Sequence, residues 1–436
     1  MTKFSLKKKL LPSLMAASLA SGVAFSGGAS AIEVAADKTG QVLLAPFYNV
    51  QEINGQAQGP VYIKVINTSK THAVKARIAF RSKVNSTEVL DFILYLSPTD
   101  VWRGMVVNDK GQAYVKSTDD SVRNLPKRDS FASIAGTPAN VMMFDDGMAA
   151  GDTNEMGHFE IIGAYSVSGN VQTPKGNVLV ERDMSKYDLA KVFDINLGST
   201  SKAGSLLNLN AGSCPNNATA PCMIRTDEPS TVQLRGEVSF DLLGERFSYV
   251  MTALDESNSG KVISNPTYDL DTSQVVDLGV GFGILGGDNI LEIETALAAS
   301  SYSASNDSSS IVFVTFPTKY RHNRDVCNSG VTGAGWKPPF NATGSVTYTI
   351  DQYNNQEKAL TSTEISVSGG QTASDTAITD EVEWFIPKWA FKSGWYALQL
   401  QAVKGINSCP YTGVPAIVNT MTFRGNQSEL VENSPN

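Results

Sequence analysis

The run Gly281-Phe282-Gly283-Ile284-Leu285-Gly286 has the spacing of a dinucleotide-binding loop, in which glycines let the backbone close on a pyrophosphate at a helix N-terminus. It follows a strand-like stretch, 274–280, and precedes a helix-like one at Ile290. No train of alternating strands and helices surrounds it, so a glycine-rich turn is the better reading and no nucleotide cofactor is expected. Asp145, Asp146, Asp152, Asn154 and Glu155 lie within twelve residues and offer hard oxygen ligands suited to Ca²⁺. They miss the EF-hand register, because Met156 stands where an acid belongs, and a solvated acidic loop is the simpler alternative. Asp269 and Asp271 form a smaller cluster of the same kind.

Hydrolytic chemistry has little to draw on. The histidines are His72, His158 and His322, far apart in the chain, and neither an H-E-x-x-H nor a G-x-S-x-G motif occurs. Glycoside hydrolysis needs only two carboxylates at the right separation, and Asp380, Glu381 and Glu383 ahead of Trp384, or Glu160 within a strand-like segment, meet that need trivially. With 43 acids in the chain such groupings carry almost no information. Trp102, Trp336, Trp384, Trp389 and Trp395 are either core residues or stacking surfaces for sugars, and their exposure separates the two. No catalytic set is expected.

Residues 1–31 read as a bacterial secretory signal: Lys3, Lys7, Lys8 and Lys9, an apolar stretch from Leu10 to Phe25, and Ala29-Ser30-Ala31 as a cleavage site. The stretch is too short and interrupted to be preferred as a membrane anchor, and no later segment reads as a spanning helix. Removing the signal takes four lysines and no acid, leaving a formal charge of −12. Nucleic acid is therefore not an expected partner. In an exported chain Cys214, Cys222, Cys327 and Cys409 point to disulfides. Of three pairings, Cys214–Cys222 with Cys327–Cys409 is favoured, at about 2.6 and about 4.5 kcal/mol on a loop-entropy basis. A zinc site would want a C-x-x-C pair or a nearby histidine, and neither is present.

The elements that must position these residues are strands. Val74, Ala76, Ile78 and Phe80 alternate with Lys75, Arg77 and Arg81; the same pattern recurs at Val346–Ile350 and Tyr396–Ala402. Val232–Phe240 and Phe247–Met251 around Leu243-Gly244 read as a hairpin. One wet face per strand implies antiparallel sheets. Ser185 is expected to cap a short helix through Leu189, Val192 and Phe193, and Asn289 with Glu292 another through Ile290, Ile293 and Leu297.

The fold expected is mainly β, antiparallel β-sandwich domains with a few short helices: an N-terminal domain over 32–209, a disulfide loop over 210–224, a C-terminal sandwich over 225–425 and a tail over 426–436. LSPTDVW (Leu96–Trp102), YIKVINTSK (Tyr62–Lys70), MTALD (Met251–Asp255) and TFPTKYRHNRDVC (Thr315–Cys327) resemble segments of exported bacterial cell-surface proteins of the surface-layer type. The resemblance implies an envelope or extracellular location and a non-enzymatic role, and it supplies no active-site residues. The function expected is thus a secreted or surface-displayed structural or interaction protein, a component of a surface layer or extracellular assembly, with other envelope proteins or its own copies as partners. A carbohydrate-binding or glycan-active module and an outer-membrane β-barrel are the alternatives.

Overall fold

The strand patterns become sheet faces whose two sides are covered by different parts of the chain. The computed structural model describes residues 33–121, 141–189, 232–255 and 267–433, apart from 277–293, 321–335, 367–376, 404–412 and shorter stretches within those ranges. Every strand pairing among these residues is antiparallel, and the architecture is nearly all β, as expected.

A seven-stranded sheet is built on Met156–Thr173, which pairs with Val42–Asn49 on one side and His72–Ser82 on the other. Glu88–Leu96 adds the outer edge beyond His72–Ser82. A six-stranded sheet is centred on Val61–Asn67, flanked by Val101–Asp109 and Leu234–Leu242. The apolar faces of these two sheets meet in one core that holds Val74, Ala76, Ile78, Phe80, Val65, Trp102 and Phe240. Of the two roles open to Trp102, core residue or stacking surface, the structure gives the first: its ring is fully buried. The preceding turn is held as its sequence suggests, with Asp100 Oδ2 accepting from the amide and hydroxyl of Ser97.

A third sheet carries the later strands. Val346–Asn354, Ser393–Gln401 and Leu297–Ser305 form one layer, and Ser308–Thr315, Val382–Pro387, Ile417–Arg424 and Gln427–Asn433 form another. A second core, with Val312, Val314, Tyr348, Ile350, Leu398 and Val418, lies between those layers. Ser308–Thr315 is buried on both faces: Ile311 and Phe313 enter the first core, Val312 and Val314 the second. Phe313 stacks on Phe47 at 4.8 Å, and Thr315 Oγ1 donates to the Pro46 carbonyl at 2.6 Å.

Four expectations change. The expected C-terminal domain does not begin at the cysteine loop: Leu234–Leu242 pairs with Val61–Asn67, and Thr252–Asp255 pairs with both Val42–Asn49 and Glu33–Val34. Both strands are interior members of the N-terminal sheets, paired on either side, and cross-strand pairing outweighs the loop composition that suggested a boundary. Of the helix expected from Asn289, residues 289–293 lie outside the described residues, and its last expected position, Leu297, stands instead in the strand Leu297–Ser305, held by a seven-residue ladder against Ser393–Gln399. Residues 427–433 of the expected tail form a strand along Ile417–Arg424. Finally, Arg77 and Arg81, expected on a wet face, are buried.

The hairpin Leu234–Leu242 to Glu245–Val250 forms as expected, with Gly244 at φ 84° in its turn. Ser185 caps a helical turn, its Oγ accepting from the Asp188 amide at 3.1 Å. Val192 and Phe193, the Gly281–Gly286 run, His322 and all four cysteines lie outside the described residues.

Candidate functional site

The groups with acid–base potential converge where the seven-stranded sheet turns its outer face toward the start of Val382–Pro387. Cross-strand register sets this up. Arg81 stands opposite His158 on one neighbouring strand and Glu88 on the other, while Ala79 faces Glu160 and Asp91. Arg81 therefore reaches Glu160 Oε1 through Nη2 at 2.9 Å and Nε at 3.2 Å, and the Ser86 carbonyl through Nη1 at 3.2 Å. Arg77 donates to both oxygens of Glu88 at 2.7 Å and to Asp91 at 3.1 Å. Each guanidinium meets carboxylate acceptors in the geometry its planar fork favours.

The third sheet closes this network. The amides of Glu381 and Val382 both donate to the Lys83 carbonyl, and Lys83 Nζ lies 3.0 Å from Asp380. Glu381 is fully buried, and neither of its carboxyl oxygens has a hydrogen-bond partner among the described residues. Burial raises its pKa well above the carboxylate range, opposed by Lys319 and Arg81. Burial thus favours the neutral form of the Glu381 carboxyl. Lys319 is 1% exposed, donates to the Thr379 carbonyl at 2.5 Å, and sits 4.7 Å from the Trp336 ring centre. Burial lowers its pKa.

His158 belongs to the same cluster. It is fully buried; burial and then the Arg81 charge lower its pKa to about 3, so the ring is neutral across the physiological range. The ring faces the Pro317 backbone, yet neither nitrogen makes a well-formed hydrogen bond. A general base must reach its substrate. His158, Glu160 and Glu381 are each at most 1% exposed, so the arrangement ties two sheets together and offers no surface for reaction. Glu383, partly exposed nearby, has its pKa raised to about 7 by burial and then by Asp380.

Of the acidic loop, Asp145 and Asp146 lie outside the described residues. Asp152 is committed to structure: its Oδ2 accepts from Ser82 Oγ at 2.7 Å and its Oδ1 from the Val84 and Thr153 amides. Asn154 gives its backbone carbonyl to the buried Tyr48 hydroxyl, and Glu155 accepts from Asn108. Among the described residues no three metal-ligating side chains converge.

The tryptophans divide clearly. Trp102 is core, Trp336, Trp384 and Trp389 pack against the cores, and Trp395 is 40% exposed with its ring stacked on Tyr353 at 3.7 Å. Sequence reading passed over Arg77 and Arg81. A signal was present: a strand with cations at alternate positions is followed by one with Glu88 and Asp91 in the complementary register.

A cleft of about 620 Å³ opens instead on the outer face of the six-stranded sheet, lined by Lys38, Tyr62, Lys64, Arg103, Ser239 and Ser248 among others. No family model and no curated protein matches this sequence. A solved structure of Streptomyces avermitilis alpha-L-rhamnosidase complexed with L-rhamnose aligns at 8% identity and a TM-score of 0.16, over 93% of this chain and 29% of that enzyme. A likeness so slight carries no argument about fold or chemistry.

Proposed function

We propose that this protein is a non-enzymatic structural or interaction protein, exported and displayed at the cell surface, where it contributes sheet faces to an assembly of envelope proteins or of its own copies. The observation that carries this reading is the burial of the acid–base groups: His158, Glu160 and Glu381 serve the joint between sheets, while the solvent faces carry polar, charged and aromatic side chains on strands. The signal-like residues 1–31 support export. The open order of the described sheets, each with distinct edges, supports this reading over a closed outer-membrane barrel. Among the described residues no helix is long and apolar enough to cross a membrane.

A carbohydrate-binding role is favoured as a second reading by one observation, the exposed Trp395 on Tyr353 beside the Gln399–Asp351 hydrogen bond of 3.0 Å. Ca²⁺ is proposed only in the assembly, through the Asp145–Glu155 loop.

The deciding experiment is fractionation of the native cells with protease treatment of intact cells and a parallel EDTA wash. Protein that is cleaved on intact cells supports surface display, and release by EDTA adds the metal-dependent assembly. Protein that is protected and freed by osmotic shock overturns the surface reading.

A further inference from the structure

The outer face of the six-stranded sheet concentrates charge of the sign opposite to the chain as a whole. The chain's formal charge is −8. On this face stand Lys38, Lys64, Arg103, Lys116, Arg235 and Arg246, against Glu237, Asp241 and, at one end, Asp109. Register places Lys64 directly opposite Arg103 on the adjacent strand. Like charges in that position destabilise a sheet. Glu237 offsets part of the cost, lying 3.0 Å from Lys64 and 3.6 Å from Arg235. Arg103 has no acidic partner among the described residues.

The same face offers more than charge. Tyr62 is 41% exposed, opposite Met105 on one side and Ser239 on the other, and Ser239 stands opposite Ser248. Arg246, held by both oxygens of Asp241, lies 5.8 Å over the Tyr62 ring; the phenol, its flanking hydroxyls and the Arg103 fork are suited to a sugar ring that carries a carboxylate: the phenol stacks, the hydroxyls bond, and Arg103 takes the carboxylate in bidentate fashion. The cleft of about 620 Å³ runs along these residues.

We infer that this face binds an acidic polysaccharide, a chain of uronate sugars, across Arg103, Lys64, Tyr62 and Lys38. A nucleic acid fits less well, because duplex DNA presents a charge every ~1.7 Å and the intervening Glu237 and Asp241 would repel that density. A uronate chain carries one carboxylate per sugar and accommodates acids between its contacts. The inference rests on the surface-interaction reading above and names its ligand.

The test is binding of the purified full-length protein to polygalacturonate by calorimetry at low salt, with methyl-esterified polygalacturonate, a single-stranded DNA oligonucleotide and the protein alone in parallel. Binding to the free acid is expected, lost in about 1 M salt, where screening shortens to ~3 Å, and at least about tenfold weaker in the R103E/K38E variant. K388E/K392E, the same double charge reversal on the exposed segment ahead of Ser393–Gln401, leaves binding intact, and circular dichroism confirms that each variant is folded. No binding, equal binding of the methyl ester, equal binding of DNA, an unaffected R103E/K38E variant, or a dimer that this variant dissolves each overturns the inference. Failure here with cleavage on intact cells removes the ligand and leaves surface display standing; binding in a protein that is protected in cells does the reverse.

Discussion

Acid should unfold this protein through His158, and the effect can be isolated by His158→Gln. In the folded state the imidazole titrates near 3, because burial and the Arg81 charge disfavour its cation; in the unfolded chain it titrates near 6.5. Between those values the unfolded chain binds a proton that the folded one refuses, so stability falls as pH falls. Each pH step is worth about 1.4 kcal/mol, so from pH 7 to pH 4 the loss is about 3 kcal/mol. Glu381 and Glu383, whose folded pKa values are raised by burial, act in the opposite sense, losing stability as pH rises above 4.5. Their contribution is common to both proteins and drops out of the difference. Urea unfolding at pH 7, 6, 5 and 4 supplies the measurement. The parent should lose about 3 kcal/mol more than His158→Gln across that range; parallel curves, within about 0.5 kcal/mol, would refute the assignment of a neutral, desolvated ring.

Three further outcomes follow from the packing. Arg81→Met leaves Glu160 buried without its partner and should cost roughly 3–5 kcal/mol, whereas the double variant R81M/E160M should recover a substantial part of that loss, read from the same urea curves. Gly104→Ala places a Cβ 2.2 Å from Cη2 of the Trp102 ring and should destabilise by about 1–3 kcal/mol, with the change visible in tryptophan fluorescence. Phe313→Ala removes a ring stacked on Phe47 and should cost roughly 3–5 kcal/mol; near- and far-ultraviolet circular dichroism should still lose signal together, since the ring belongs to a core shared by early and late strands.

Period-two alternation made the strand faces legible. Val74, Ala76, Ile78 and Phe80 point into the core because a strand one face of which is buried must alternate. The hairpin at Gly244 and the turn at Asp100 were legible for local reasons of the same kind. The burial of Arg77 and Arg81 was not, because alternation reports only that two faces differ, and Glu381, which acts on Arg81, comes from far along the chain. The boundary at the cysteine loop failed for a related reason. Loop composition marks where a chain leaves a sheet, and nothing local says that Leu234–Asp255 returns to both N-terminal sheets. For the basic face, residue types were visible at Lys64 and Arg103, but only the register of Val61–Asn67 against Val101–Asp109 puts them side by side.

The wall between the two cores has a consequence for how the chain is made. Ser308–Thr315 supplies Ile311 and Phe313, and still later strands Val382 and Met421, to a hydrophobic interior lined mostly by residues synthesised much earlier. Thr252–Asp255 likewise completes a sheet that begins at Glu33. As the polypeptide emerges from the ribosome, the first half has no closed interior to settle into until the last third arrives. Most of its pairings span long stretches of sequence, a topology that folds slowly. A chain so built closes its first core only when its late strands are in place.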